Sequence, residues 1–430
     1  MNDGGFSALV VLDDLAAPRF SPGAAELLAL MDSVADACPL DSAALHAQAS
    51  AELGLGDFGP RDYEERLEVL LAAYRDAPRL SRAGRVNLHA QFLQLLKNRL
   101  LFTDLLRREP GIAGIELAPP VVIAGLPRTG TTHLLQLLAA TGRFRTLPYW
   151  EGLEPFPLPG EAGVVPEPRR ERTQAAVALM NDAMPHFARM HEMADADHVH
   201  EEIALLASDF STMYFETLTE VPAWQEYYAG HDQAPHYRYL RLHLQALQHL
   251  RPGPAGAGRW LLKSPQHLEQ LPVLAETFPG ATVVITHRDP VHVVTSMATM
   301  VAYTDRMFSD PTDPAGTGRR WAARIERMLD ALQRDRSALP PDRAVDLPFA
   351  DLMADQLGAV ERILAMAGER FDAAARSGAE AYLAGHAAGH LGRVDYRPEL
   401  VGLDPDDLRR RFASYERRFL PSEEPLPVDN

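Results

Sequence analysis

Eight consecutive residues, Gly125-Leu126-Pro127-Arg128-Thr129-Gly130-Thr131-Thr132, bring together two glycines, one cation and three hydroxyls. These are the residue types that hold a cluster of anionic oxygens. Glycine lets the backbone turn tightly, and the free N–H groups that open the next helix, with the hydroxyls of Thr129, Thr131 and Thr132, can cradle a phosphate or a sulfate. The run nearly matches G-x-x-x-x-G-K-[ST], but Thr131 stands at the lysine position and Arg128 lies inside the loop. That departure argues against an ATPase or a GTPase. The competing use of such a turn is packing alone. Two more cations, Lys263 and Arg288, follow short apolar runs at 260–262 and 282–286, and Ser296 offers a hydroxyl from the helix after Arg288. Arg288 and Ser296 together can hold a second phosphate; the competing use of Arg288 is a salt bridge to a helix carboxylate.

The elements that must position these groups follow from the hydrophobic pattern. Val121 to Ile123 reads as a buried strand, the loop follows, and Leu134, Leu135, Leu137 and Leu138 mark a helix. The runs at 260–262 and 282–286 have the continuous apolar character of parallel strands covered on both faces. Lys263 and Arg288 then project from carboxyl ends of strands, the edge where open α/β sheets bind ligands. Phe144 to Trp150 reads as another strand, ending at Glu151, and residues 155–168, with five prolines and two glycines, as a surface excursion. Before the loop the spacing is helical, as in Leu67-Leu70-Leu71-Tyr74 and Phe92-Leu95-Leu96. The expected organisation is a loosely ordered N-terminus at 1–20, an all-helical packing region at 21–115, and an α/β domain at 116–430 with a parallel sheet flanked by helices.

Bulk properties narrow the function. The 430 residues carry a net charge of −17, which argues against general nucleic-acid binding, so an anionic ligand must be held by a local cationic cluster. No 18-residue apolar run and no basic-then-apolar start is present, and the single cysteine, Cys38, fits a reducing compartment. A cytoplasmic location is expected. Residues 191–202, H-E-M-A-D-A-D-H-V-H-E-E, gather three histidines and five carboxylates. They read as a metal site, a polar active-site wall, or a charged helix start. His198 and His200, two apart, would diverge on a helix, which speaks against metal there.

The loop G-L-P-R-T-G-T-T, the strand end L-K-S-P-Q-H-L and the block T-H-R-D-P-V-H-V-V-T-S resemble the signature blocks of sulfotransferases that use 3′-phosphoadenosine 5′-phosphosulfate (PAPS), in particular the bacterial group with a P-R-[ST]-G-T-T loop. The resemblance covers roughly residues 90 to 420. It implies a P-loop-like fold, residues 127–133 around the 5′-phosphosulfate, Arg288 and Ser296 at the 3′-phosphate, and no required metal. Arg128, Thr129, Gly130, Thr131 and Thr132 are thus implied donor-binding residues, and Arg128 and Lys263 the cations that act on transferred charge. Gly392 and Arg393 match a terminal loop that closes on the 3′-phosphate. Phe349 takes the place of a tyrosine at the adenine, with a core phenylalanine as the equal alternative.

The resemblance also implies a glutamate base after the loop helix, at Glu151. His267, His200 and Glu202 are the alternatives, as is a Glu151 that only pairs with a cation. The product would be 3′-phosphoadenosine 5′-phosphate (PAP). A kinase with a degenerate loop and a catalytically silent PAP-binding protein are the competing functions. The expected partner is a small, hydrophobic alcohol or phenol, in a pocket lined from among Tyr149, Trp150, Phe156, Phe187, Tyr214 and Trp224.

Overall fold

The computed structural model describes residues 9–193, 195–252, 258–386 and 391–420. Its strands are β1 (Leu9–Val11), β2 (Ala118–Gly125), β3 (Phe144–Arg145), β4 (Leu147–Pro148), β5 (Val199–His200), β6 (Arg259–Lys263), β7 (Thr282–His287), β8 (Ala344–Pro348) and β9 (Arg393–Asp395). Five of them form the parallel sheet expected from the apolar runs, in the order β3-β6-β2-β7-β8. Val121 to Ile123, Leu261, Leu262 and Val283 to Ile285 are all buried, because helices cover both faces of the sheet. The register sets Ile123 beside Lys263, Gly125 beside Thr286 and His287 beside Pro348. The carboxyl ends of β2, β6, β7 and β8 therefore lie along one edge.

Four helices precede the sheet: α1 (Pro22–Val34), α2 (Ser42–Leu53), α3 (Tyr63–Arg75) and α4 (Arg82–Arg108). Asp41 caps α2 through a 2.8 Å bond from the Ala44 N–H, the cap that the sequence suggested. Leu67, Leu70, Tyr74 and Phe92 from these helices belong to the same apolar cluster as Phe210, Phe215 and Trp260. Asp209 fastens the two parts together with buried charge. Its carboxylate meets Arg66 of α3 at 2.9 Å, Arg99 of α4 at 2.8 Å and His236 at 2.5 Å.

Two expectations change. Leu9–Val11 is not loose chain but a strand paired in parallel with β9, Leu9 beside Arg393. The anticipated strand from Phe144 to Trp150 breaks into β3 and β4, and Tyr149–Leu153 forms a short helix, α6. Pro148 explains why β4 ends there: it has no N–H to continue a ladder and leads directly into the first turn of α6. β4 pairs instead with β5, antiparallel, which brings His200 beside Leu147. Beyond α6 lie α7 (Pro168–Ala183) and α8 (Phe187–Met190). Among the described residues no helix is long and apolar enough to cross a membrane.

Candidate active site

At the carboxyl edge of the sheet, β2 runs into the glycine loop and then into α5 (Thr131–Ala140). Gly130 has φ +84°, in the left-handed region that glycine tolerates, and Arg128, at φ 71°, adopts it despite its side chain. A Cβ on Gly125 would come within 2.0 Å of Thr286 Oγ1, so loop and β7 approach as closely as glycine alone permits. No side chain caps α5, whose first internal bond is Leu134 N–H to Gly130 O. Its opening N–H groups at Thr131, Thr132 and His133 thus have no partner within the helix, and these three residues line a cavity of about 1250 Å³. Anion binding at such a terminus needs no further construction.

Three expected cations reach this cavity: Arg128, Lys263 and Arg288. Arg128 is held by Ser296 Oγ at 3.2 Å, by Tyr396 Oη at 2.9 Å and by the Met190 carbonyl. Arg288 donates to the Arg128 carbonyl at 3.0 Å and lies 4.1 Å over the Phe349 ring, which also lines the cavity. Lys263, at the end of β6, points Nζ to Glu201 Oε1 at 3.1 Å, while its backbone N–H donates to Glu202 Oε2 at 2.9 Å. Adjacent glutamates thus take opposite duties at one lysine.

Other expected residues stand elsewhere. The Thr129 hydroxyl is fully buried and binds Leu126 O and Thr286 Oγ1, both at 2.6 Å, so it shapes the loop instead of facing the cavity. Ser296 is buried behind Arg128, whose orientation it fixes. Gly392, at φ +92°, lines the cavity, but Arg393 sits in β9 with its side chain exposed and does not.

Glu151 is placed away from the cavity, which corrects its reading as the base. Tyr149, Gly152 and Leu153 of α6 face the cavity, and helical spacing turns Glu151 to the other side. There its carboxylate holds Arg251 through bonds of 2.7 and 3.1 Å. The cation that a purely structural Glu151 would pair with is thus Arg251. Glu151→Gln is therefore expected to leave turnover within about twofold and to lower stability by about 1 kcal/mol, since one charge-assisted pair becomes neutral. Steady-state rates and a urea melt check this; a collapse in turnover with stability intact would restore Glu151 as base.

His267 and Glu202 are also withdrawn from the cavity. They pair with each other through a short bond, and His267 Nδ1 meets Tyr237 Oη at 2.8 Å. Burial raises the Glu202 pKa, but the bonds from His267 and the Lys263 N–H outweigh it and the net shift is downward. His200 does line the cavity. With it come His191 and Glu201, which the sequence did not single out: the ligand atoms of the three lie within 4.8 Å of one another. The signal for them was the density of histidine and carboxylate at 191–202, and β5 placed it here by forming a strand where a helix start was weighed. These are metal-ligating types, yet Lys263 Nζ already occupies the cation position beside Glu201. Burial, with Lys263 nearby, pushes His191 down to about 3 and His200 well below the usual histidine range, so both imidazoles are neutral.

Of the aromatic residues considered for an acceptor pocket, Tyr149, Phe187 and Tyr214 line the cavity. Phe156 and Trp224 are buried core, and Trp150 lies under Arg169, 4.7 Å from its guanidinium to the ring.

The family model for the sulfotransferase family matches residues 119–373, well over half of the chain. The chain belongs to the sulfotransferase family. Among solved structures, this sulfotransferase is similar to STF1 of Mycobacterium tuberculosis H37Rv, with 28% identity and a TM-score of 0.75 over 87% of this chain and 98% of that one. It also shares the fold of the sulfotransferase STF9 of Mycobacterium avium, at 23% identity and a TM-score of 0.77 over 88% and 96% of the two chains. None of the curated protein sequences matches it. Sulfuryl transfer from PAPS to an acceptor is the general activity that membership of this family supports.

Proposed function

We propose that this sulfotransferase moves the sulfuryl group of PAPS to the hydroxyl of an apolar acceptor, giving a sulfate ester and PAP. The observation that carries this reading is that Arg128, Lys263, Arg288 and the uncapped start of α5 all line one large cavity. A polyanionic donor fits there: the chain is acidic overall, and this cluster supplies the local positive charge. PAPS supplies an activated sulfur joined to a phosphate leaving group.

The roles of the protein groups follow from their placement. The N–H groups of α5 with the Thr131 and Thr132 hydroxyls hold the 5′ end of the donor. Arg288, 4.1 Å over the Phe349 ring, is placed at the 3′-phosphate, with the phenylalanine face beside the adenine. Arg128, oriented by Ser296 and Tyr396, stabilises charge on the departing phosphate oxygen. Lys263 lies toward the acceptor oxygen, and Glu201 sets the direction of its ammonium. The acceptor proton passes to His200, which is neutral and therefore able to take it. Burial makes His200 a weak base, but negative charge brought by the donor raises an imidazole pKa in the same site.

Thermal melting tests the donor assignment. PAP without Mg²⁺ is expected to raise the melting temperature markedly, by the equivalent of about 2.7 kcal/mol at a hundred times its Kd. ATP with Mg²⁺ is expected to do much less, and Arg288→Ala to erase the preference. Equal stabilisation by ATP and Mg²⁺ would replace this reading with that of a kinase carrying an altered loop.

A further inference from the structure

Ten of the thirteen methionines of the chain line this one cavity, among them Met31, Met180, Met184, Met297, Met300 and Met307. Methionine has three rotatable bonds and a polarisable sulfur, so a wall of it adapts to apolar bodies of varied shape. Met31 lies on α1, Met180 on α7 and Met190 on α8, and α1 and α4, which precede the sheet, supply part of the cavity wall. Asn87, Ala90, Gln91, Gln94 and Leu95 of α4 recur at spacings of three and four, and all five face it.

The polar members of that wall are already engaged. Asn87 donates to Met307 O at 3.1 Å, Gln91 accepts from Tyr214 Oη at 2.9 Å, and Gln94 donates to Asn98 Oδ1 at 2.8 Å. These bonds take up only part of each amide's capacity, so selection against a sugar rests on the apolar residues around them. On α1, Leu27 and Met31 line the cavity, and the same helical face continues outward to Leu30 and Val34, which are 62% and 43% exposed. Leu179 of α7 also lines the cavity and is itself 57% exposed. An apolar path therefore leads from the surface between α1 and α7 to the methionine-lined chamber. The volume of about 1250 Å³ exceeds the roughly 300–1,000 Å³ of a pocket for one drug-sized ligand, leaving space for a second body beside a nucleotide.

We propose that α1, α4 and α7 form an acceptor-selecting chamber, and that the acceptor is an apolar alcohol of lipid dimensions, its hydroxyl at Lys263 and His200 and its alkyl, isoprenoid or sterol body among the methionines. The inference rests on the sulfuryl-transfer reading and gives the N-terminal helices a role beyond packing.

The test uses Ala90→Trp and Ala176→Trp. Both alanines face open cavity and are exposed, so the added ring takes the place of ligand and not of core. Transfer from labelled PAPS is measured with dodecan-1-ol, cholesterol and glucose. Stabilisation by dodecan-1-ol, read by melting with and without PAP, gives a measure independent of turnover. The two lipid alcohols are expected to exceed glucose in kcat/KM by at least a hundredfold, and the better of them distinguishes a chain from a ring body. Each tryptophan variant is expected to cut kcat/KM for that alcohol at least tenfold and to abolish the dodecan-1-ol shift, with the PAP shift kept as evidence of folding. Glucose as the best acceptor, or tryptophan variants that bind dodecan-1-ol as before, would overturn the chamber. Failure of PAP to stabilise the protein would overturn the transfer reading on its own, while a dodecan-1-ol shift lost in the variants would still support the chamber.

Discussion

Lys263→Ala is expected to lower kcat by about two orders of magnitude while the PAP dissociation constant changes by only a few-fold. The ammonium stands at the end of β6, oriented by Glu201 at 3.1 Å, and is proposed to act on charge that grows at the acceptor and sulfuryl oxygens. A charge-assisted bond made in the transition state is worth roughly 1.5–3 kcal/mol, which corresponds to about ten- to more than a hundredfold in rate. The substitution also leaves Glu201 buried without its cation, and Glu201 Oε2 already has no hydrogen-bond partner among the described residues. The double variant Lys263→Met with Glu201→Gln removes that complication, because neither side chain is then charged. If Lys263 served only to neutralise Glu201, the double variant would recover turnover; a direct role keeps it slow. His200→Gln is expected to share the loss in kcat and to remove the acidic limb of the rate profile. A neutral base is needed, and activity falls as pH drops through its pKa. An unchanged acidic limb would remove His200 from the mechanism.

Asp209→Ala is expected to give the largest loss of stability, about 3–5 kcal/mol in the unfolding free energy measured by urea denaturation. Asp209, Arg66, Arg99 and His236 are each no more than 3% exposed, so no water replaces the lost carboxylate. Two guanidiniums would remain in the interior without their shared anion. Burial raises the Asp209 pKa, but the His236 bond and the charges of Arg66 and Arg99 outweigh it, and the net shift is downward. Stability from that carboxylate is therefore present above its ordinary range near pH 4 and is lost as pH falls through the lowered folded value. The consequence reaches the site, since Asp209 follows the helix Ile203–Ala207 that begins just after His200, Glu201 and Glu202. Loss below about 1 kcal/mol would mean that packing, not charge, fastens α3 and α4 to the sheet.

The Asp209 cluster and the cavity illustrate what different ranges of sequence can reveal. Local chemistry was legible. Gly125 and Gly130, Thr131 and Thr132, and the apolar runs before Lys263 and Arg288 specify strand, turn and helix over a few residues each, because close backbone approach and burial on both faces of a sheet restrict residue type at those positions. The helices from Pro22 to Arg108 were readable from their apolar spacing of three and four residues. Glu151 was misread because one proline changed a strand end into a helical turn, and a turn of about 100° per residue decides which side a carboxylate faces.

The sequence by itself determined the parallel sheet, the glycine turn between β2 and α5, and the three cations Arg128, Lys263 and Arg288 at the cavity, since each depends on residues close together in the chain. Only the tertiary structure decided that His191, His200 and Glu201 meet Lys263, that Ser296 and Tyr396 serve Arg128, and that methionines from Met31 to Met353 share one wall. Those meetings join residues tens to hundreds of positions apart. They are fixed by how whole elements pack, and no local propensity encodes them.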